Sequence, residues 1–189
     1  DKAVNYRGEW IVWSEQISDL RWTHSGKSCL KFYNVKTHRK ISFCPQYKAL
    51  APSISPDKTK VAVVESDFSN NYYLSVYQIK NAKLLYRIQA KDNNYLFSPD
   101  WLNEEELIAI ALTKKGKRII KLQLPGGEMT VLSNLELGEL KQIKLDGESV
   151  YFISSYSGKD ALYRLNLKDK SIFMVQNPRF GFESPALSN

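Results

Sequence analysis

One unit recurs four times along these 189 residues, and that recurrence confines the chain to a repeat architecture. Each copy is an alternating segment, a short polar turn and a second alternating segment. The copies run 33–41, 77–85, 122–130 and 165–173, beginning at Tyr33, Tyr77, Leu122 and Leu165, at intervals of 44, 45 and 43 residues. A period of about 40–50 residues is that of a four-stranded antiparallel blade. The remainder of each repeat also reads as strand. Trp10–Trp13, Lys60–Val64, Leu107–Ala111 and Ser149–Ile153 are short, nearly continuous apolar runs, the pattern of strands covered on both faces. Two of them follow turn signals, Ser55-Pro56-Asp57-Lys58 and Leu145-Asp146-Gly147-Glu148. The segment closest to a helical pattern, Glu104–Leu107, leads straight into a strand pattern. The fold class is therefore all-β, a β-propeller of about four four-stranded antiparallel blades.

This spacing predicts a single propeller region over 1–189. The blades fall at approximately 4–46, 47–92, 93–136 and 137–179. Residues 180–189 form the inner strand of a further blade or the closing strand of the first. The first blade has three clear strands and lacks its innermost one unless Val4–Arg7 supplies it. Asp1 opens in mid-sequence, so the chain reads as a piece of a longer protein.

At Ala51-Pro52-Ser53-Ile54-Ser55-Pro56-Asp57-Lys58-Thr59-Lys60-Val61-Ala62 the sequence resembles the blade signature of the TolB-like, or WD40-like (PD40), propeller family. That signature runs roughly proline, any residue, serine-proline-aspartate-glycine, then lysine and an apolar strand. Lys58 stands at the usual glycine, which predicts a distorted turn. Phe97-Ser98-Pro99-Asp100 and Ser184-Pro185-Ala186-Leu187 look like weaker copies, and the fourth blade keeps only Asp146-Gly147. A narrower likeness, Asp19-Leu20-Arg21-Trp22 followed by Ser28–Tyr33, is to large bacterial secreted proteins that join such a propeller to other domains. The resemblance implies a periplasmic or outer-membrane-associated module.

Chemistry-bearing motifs are sparse. His24 and His38 are the only histidines, and neither HExxH nor G-x-S-x-G occurs. Asp67–Asn71 and Asp92–Asn94 are oxygen-rich loops that read as solvated turns rather than Ca²⁺ sites. The reading is non-catalytic, with no cofactor and no metal. The net charge of +7 comes from scattered lysines, not a basic block, which argues against nucleic acid as a partner. No apolar run approaches the roughly 20 residues of a membrane helix.

The two cysteines admit two readings. If Asn34 pairs with Arg39 across the first hairpin, the same register sets Cys29 opposite Cys44. That is near disulfide reach on antiparallel strands. The alternative is a pair of buried thiols packed as small apolar residues.

In a propeller of this layout, one rim carries the loops between second and third strands and the loops between blades. Here those are 17–27, 66–71, 113–117 and 155–160, with 46–50, 90–95 and 177–181. They carry Arg21, Trp22, His24, Tyr47, Lys115, Tyr156, Lys159 and Arg179. Aromatic and cationic loop residues suit recognition of a protein or peptide. Two functions stay open: a binding or scaffolding module of a bacterial cell envelope, and an accessory propeller of a peptidase or hydrolase encoded elsewhere in the chain. Unpaired blade edges also predict self-association.

Overall fold

A computed structural model describes residues 4–18, 21, 26–133 and 138–181. Trp22, His24, the Asp19-Leu20 part of the narrower likeness and the expected strand at 182–189 lie outside the described residues. The sixteen strands form four antiparallel sheets of four, each in simple up-and-down order. Blade 1 is β1 (Val4–Arg7), β2 (Trp10–Ile17), β3 (Lys27–Asn34) and β4 (Lys40–Phe43). Blade 2 is β5 (Lys48–Ile54), β6 (Lys60–Ser66), β7 (Tyr72–Gln78) and β8 (Leu84–Gln89). Blade 3 is β9 (Tyr95–Trp101), β10 (Glu106–Thr113), β11 (Gly116–Gln123) and β12 (Met129–Val131). Blade 4 is β13 (Leu140–Asp146), β14 (Ser149–Ser154), β15 (Ala161–Asn166) and β16 (Ile172–Gln176). Val4–Arg7 does supply the inner strand of blade 1, pairing Val4 with Trp13 and Arg7 with Trp10. The inner position that 182–189 would fill as a closing strand of this blade is thus taken.

The inner strands stand side by side in sequence, β1 on β5, β5 on β9 and β9 on β13. Three apolar layers fill the gaps. Val12, Leu30 and Phe32 pack on Ile54, Val61, Val63 and Tyr77 between blades 1 and 2. Val64, Leu74 and Val76 meet Trp101, Leu107 and Ile120 between blades 2 and 3. Ile108, Ile110 and Ile119 meet Val150, Phe152 and Tyr163 between blades 3 and 4. The middle strands β6 and β10 face a layer on each side, which is why they carry unbroken apolar runs rather than alternation. Among the described residues no comparable layer joins blade 4 back to blade 1. The outward face of blade 1 carries Val4 and Tyr6, which point away from Val12. The outward face of blade 4 carries Phe173, in register with Arg164 and Tyr151.

The inner strands share a bulge. Register shifts after Leu50 in β5, between Phe97 and Asp100 in β9, and between Lys141 and Ile143 in β13. Each bulge holds one non-glycine residue at positive φ: Ala51, Ser98 and Gln142. This corrects one sequence alignment. Phe97-Ser98-Pro99-Asp100 matches the bulge Leu50-Ala51-Pro52-Ser53, not the turn Ser55-Pro56-Asp57. The turn of blade 3 is instead Leu102–Glu105. The serine-proline-aspartate string misled because it occurs four residues earlier relative to the strand ladder.

A second correction concerns Lys58. The turn is not distorted. Lys58 takes the left-handed φ of 62° that glycine would favour, and its amide donates to Ser55 O at 2.9 Å. The Asp57 carboxylate accepts from Ser55 Oγ, Thr59 N and Thr59 Oγ1 at 2.5, 3.0 and 2.6 Å. Burial opposes ionisation of Asp57, but the Ser55 and Thr59 hydrogen bonds outweigh it and pull the carboxyl down to about 2. Lys58 Nζ donates to Glu9 at 2.9 Å, tying blade 2 to blade 1. Lys60 does the same toward Glu104 of blade 3 at 2.8 Å. Further in, Arg7 reaches across from β1 to Asp100 in β9 at 3.2 Å, beside Ser53 of β5. One ion pair thereby links three consecutive inner strands.

Candidate functional site

The opposite rim carries the loops expected to face a partner, and among the described residues a concavity lies there where blades 1 and 2 meet. Three loops build it. The start of β3 brings Gly26 and Lys27, the blade 1 to 2 connection brings Gln46, Tyr47 and Lys48, and the β6–β7 loop brings Ser66, Asp67, Phe68 and Asn70. The cavity is about 400 Å³, within the range of small-ligand and peptide side-chain pockets.

Its aromatic wall is fixed before any ligand arrives. Tyr47 stacks on Tyr73 with ring centroids 5.6 Å apart. The Arg87 guanidinium lies 4.5 Å from the Tyr47 ring centre on a cation–π contact. Arg87 is in turn held by Glu65, a carboxylate with 0% exposure in an otherwise apolar strand. Glu65 accepts from Arg87 Nε and Nη2 at 3.1 and 2.9 Å, from Ser75 Oγ at 2.5 Å and from Tyr77 OH at 2.6 Å. Every oxygen of this buried group therefore has a donor, as a buried charge requires. Burial, then the Glu65 hydrogen bond and charge, push the Tyr77 hydroxyl well above its ordinary range. Burial is the largest single influence on Arg87 and would lower it, but the charges and hydrogen bonds of Glu65 and Tyr77 together outweigh it and raise the guanidinium.

The pocket's own carboxylate is turned inward. Asp67 Oδ1 accepts from Ser69 N and Asn71 N at 2.8 and 2.9 Å, and Oδ2 from Asn71 Nδ2 and Tyr73 OH at 2.9 and 3.1 Å. The Asn71 side-chain amide and backbone N–H lead in holding this carboxyl below its ordinary range. Asn93 stitches the neighbouring loop in place, accepting from Tyr72 N and donating to Asn70 O. Asp67 and Asn93 thus spend their side-chain oxygens on the chain itself, and among the described residues no cluster of three His, Cys, Asp or Glu suits a metal ion. Phe68, by contrast, stands 79% exposed at the lip.

Of the described ligand-binding candidates, the structure brings Tyr47 alone into this pocket, beside Asp67 and Asn70 of the oxygen-rich loop. Lys115, Tyr156, Lys159 and Arg179 are exposed on blades 3 and 4, Arg179 lying against the Phe180 ring at 5.3 Å. Arg21 is exposed on the blade 1 loop. Lys27, Lys48, Phe68 and the Glu65–Arg87 support were missed. Glu65 did leave a signal, as the lone charge closing the run Val61–Val64. Cys29 and Cys44 are joined by a disulfide across β3 and its partner strand, in the register set by Leu30 opposite Phe43. His38 lies exposed in its turn with Nδ1 2.7 Å from Tyr33 OH.

The fold is a β-propeller similar to that of TolB. The chain superposes on TolB from Acinetobacter baumannii with a TM-score of 0.71 at 10% identity, covering 92% of this chain and 42% of that one. A putative TolB from Agrobacterium tumefaciens gives 0.73 at 14% identity, covering 95% and 63%. A puromycin-hydrolyzing peptidase from Mycobacterium tuberculosis gives 0.68 at 15% identity, covering 96% and 31%. The chain therefore spans less than two thirds of each of these structures. No family model and no curated protein matches its sequence. The described part of the chain contains no helix long and apolar enough to cross a membrane.

Proposed function

We propose that this chain is a non-catalytic binding module of a bacterial envelope, holding a protein or peptide segment at the rim between blades 1 and 2. The observation that carries this reading is the pre-set Tyr47 wall. A side chain clamped by a cation on one face and a ring beside it has already lost its rotamer freedom, so contact with a ligand costs less entropy. The Cys29–Cys44 disulfide supports an oxidising, extracytoplasmic location such as the periplasm. The scattered lysines form no continuous block in the sequence, which speaks against a track for nucleic acid.

Panning a random peptide library against the immobilised chain tests the reading. Enriched peptides should bind the native protein and lose affinity on Tyr47→Ala. A library that enriches nothing, or sequences indifferent to Tyr47, would refute it. A second reading, an accessory propeller beside a peptidase domain, draws on the likeness to the M. tuberculosis peptidase, of which the matched part is 31%. A hydrolase domain in the same reading frame would favour it over the first. The apolar outward faces of blades 1 and 4 support self-association of the isolated chain, which light scattering would register as a mass above one chain.

A further inference from the structure

We propose that the blade 1–2 pocket selects an acidic peptide, placing a carboxylate between Lys27 and Lys48 and an apolar or aromatic side chain against Tyr47 and Phe68. This inference rests on the rim-binding reading above and adds the ligand's charge to it. Three observations carry it. First, Lys27 and Lys48, the opening residues of β3 and β5, line the pocket from two sides, and neither forms an ion pair with a carboxylate among the described residues. Other lysines are already paired: Lys58, Lys60, Lys117 and Lys121 each meet a glutamate.

Second, the pocket's one carboxylate offers a ligand little. Asp67 already accepts four hydrogen bonds from its own loop and Tyr73, so it keeps its charge but its lone pairs are taken up by neutral donors of the chain. With two lysines against one carboxylate, the described lining is net positive. Third, the aromatic surface lies beside that charge, with Tyr47 fixed and Phe68 exposed at the lip. A cationic pair next to an apolar wall fits a carboxylate one or two residues from a hydrophobic side chain. A uniformly charged polymer would leave the wall unused.

Nuclear magnetic resonance titration of the full chain tests this with four peptides of equal length and equal phenylalanine content. One carries glutamates, one glutamines and one lysines, all with blocked ends. The fourth carries glutamines and a free C-terminal carboxylate. The glutamate peptide should shift the Phe68 and Asn70 amides and bind about tenfold more tightly than the blocked glutamine peptide. Lys27→Gln and Lys48→Gln should each weaken it about three- to tenfold and flatten its salt dependence. The Lys27→Glu/Lys48→Glu variant should reverse the order and favour the lysine peptide, a readout that lost folding would not produce. If the free-carboxylate peptide matches the glutamate one, the recognised group is a chain terminus, and the pocket's charge selectivity stands. If glutamine and glutamate peptides bind equally and Tyr47→Ala abolishes both, the rim reading survives and the acidic selectivity is overturned. If no peptide binds, both fall. Binding of phosphatidylglycerol vesicles through Lys27 and Lys48, without peptide binding, would overturn the proposal in favour of a lipid surface.

Discussion

Arg87→Met is the substitution that most directly probes how the pocket wall is held. Glu65 is wholly buried and takes two of its four hydrogen bonds from Arg87. Methionine keeps most of the arginine's length and apolar stem but leaves the carboxylate facing only the Ser75 and Tyr77 hydroxyls. Breaking a buried pair from one side costs about 3–5 kcal/mol. The Arg87 side chain is 22% exposed, so water can reach the vacated space, and the lower end, about 3 kcal/mol, is expected. In a chain of this size that lowers Tm by about 6–12 °C. In a Glu65→Gln background the same substitution removes no charge partner and should cost only about 1 kcal/mol, a coupling of about 2 kcal/mol. Urea unfolding of the four proteins, followed by tryptophan fluorescence, measures the cycle. Equal costs in both backgrounds, within about 0.5 kcal/mol, would refute the claim that Arg87 is present chiefly to satisfy Glu65.

Three further expectations concern single features. Asp57 has a folded value of about 2 against an ordinary value of 3.8, so its contribution is full above about pH 5 and is lost as pH falls toward 2. Discounted for the exposure of its turn, that contribution is about 1 kcal/mol. Asp57→Asn should flatten the acid limb of a stability–pH curve between those values, and an unchanged limb would sink the assignment. Replacing Cys29 and Cys44 together by serine opens a cross-link spanning 15 residues and should cost up to about 3 kcal/mol. Thiol titration of the unfolded, unreduced native chain should find no free thiol, and two would refute the bond. Gly127→Ala should destabilise by more than 1 kcal/mol, because Gly127 has φ of 76° and an added Cβ would strike Ile88 Cγ2 of blade 2. Gly126→Ala, with open space around it, is the matched control in the same melting experiment.

The blades were legible because a four-stranded unit writes its own period. Its three hairpins impose alternation and turn residues at fixed offsets, and the run Leu107–Ala111 carries the pattern of a strand covered on both faces. The cysteine pairing was legible to the level of register, since Asn34 N does donate to Arg39 O at 2.9 Å, though register alone does not distinguish a bond from two thiols. The bulges were not legible. Ala51, Ser98 and Gln142 share a backbone conformation and no residue type, so their equivalence exists only in the hydrogen-bond ladder. The pocket was hidden for a related reason. Lys27, Lys48 and Phe68 come from three loops separated by about one strand pair each, and nothing in the local sequence marks Lys27 as different from Lys36 or Lys40. Only the sheet-to-sheet packing brings them together.

The layers of this chain run from blade 1 to 2, 2 to 3 and 3 to 4, and that ordering has a thermodynamic consequence. A row of units that touch only their neighbours behaves as a one-dimensional lattice, in which an end unit forfeits one interface when it melts and an interior unit forfeits two. Opening should therefore start at the ends and travel inward, and amide exchange should be slowest in β6 and β10. The two ends are not equal. Blade 1 is cross-linked through Cys29 and Cys44 and tied by Arg7 as far as blade 3, while blade 4 has neither tether. The lattice is thus polarised, and the first amides to exchange should be those of β15 and β16.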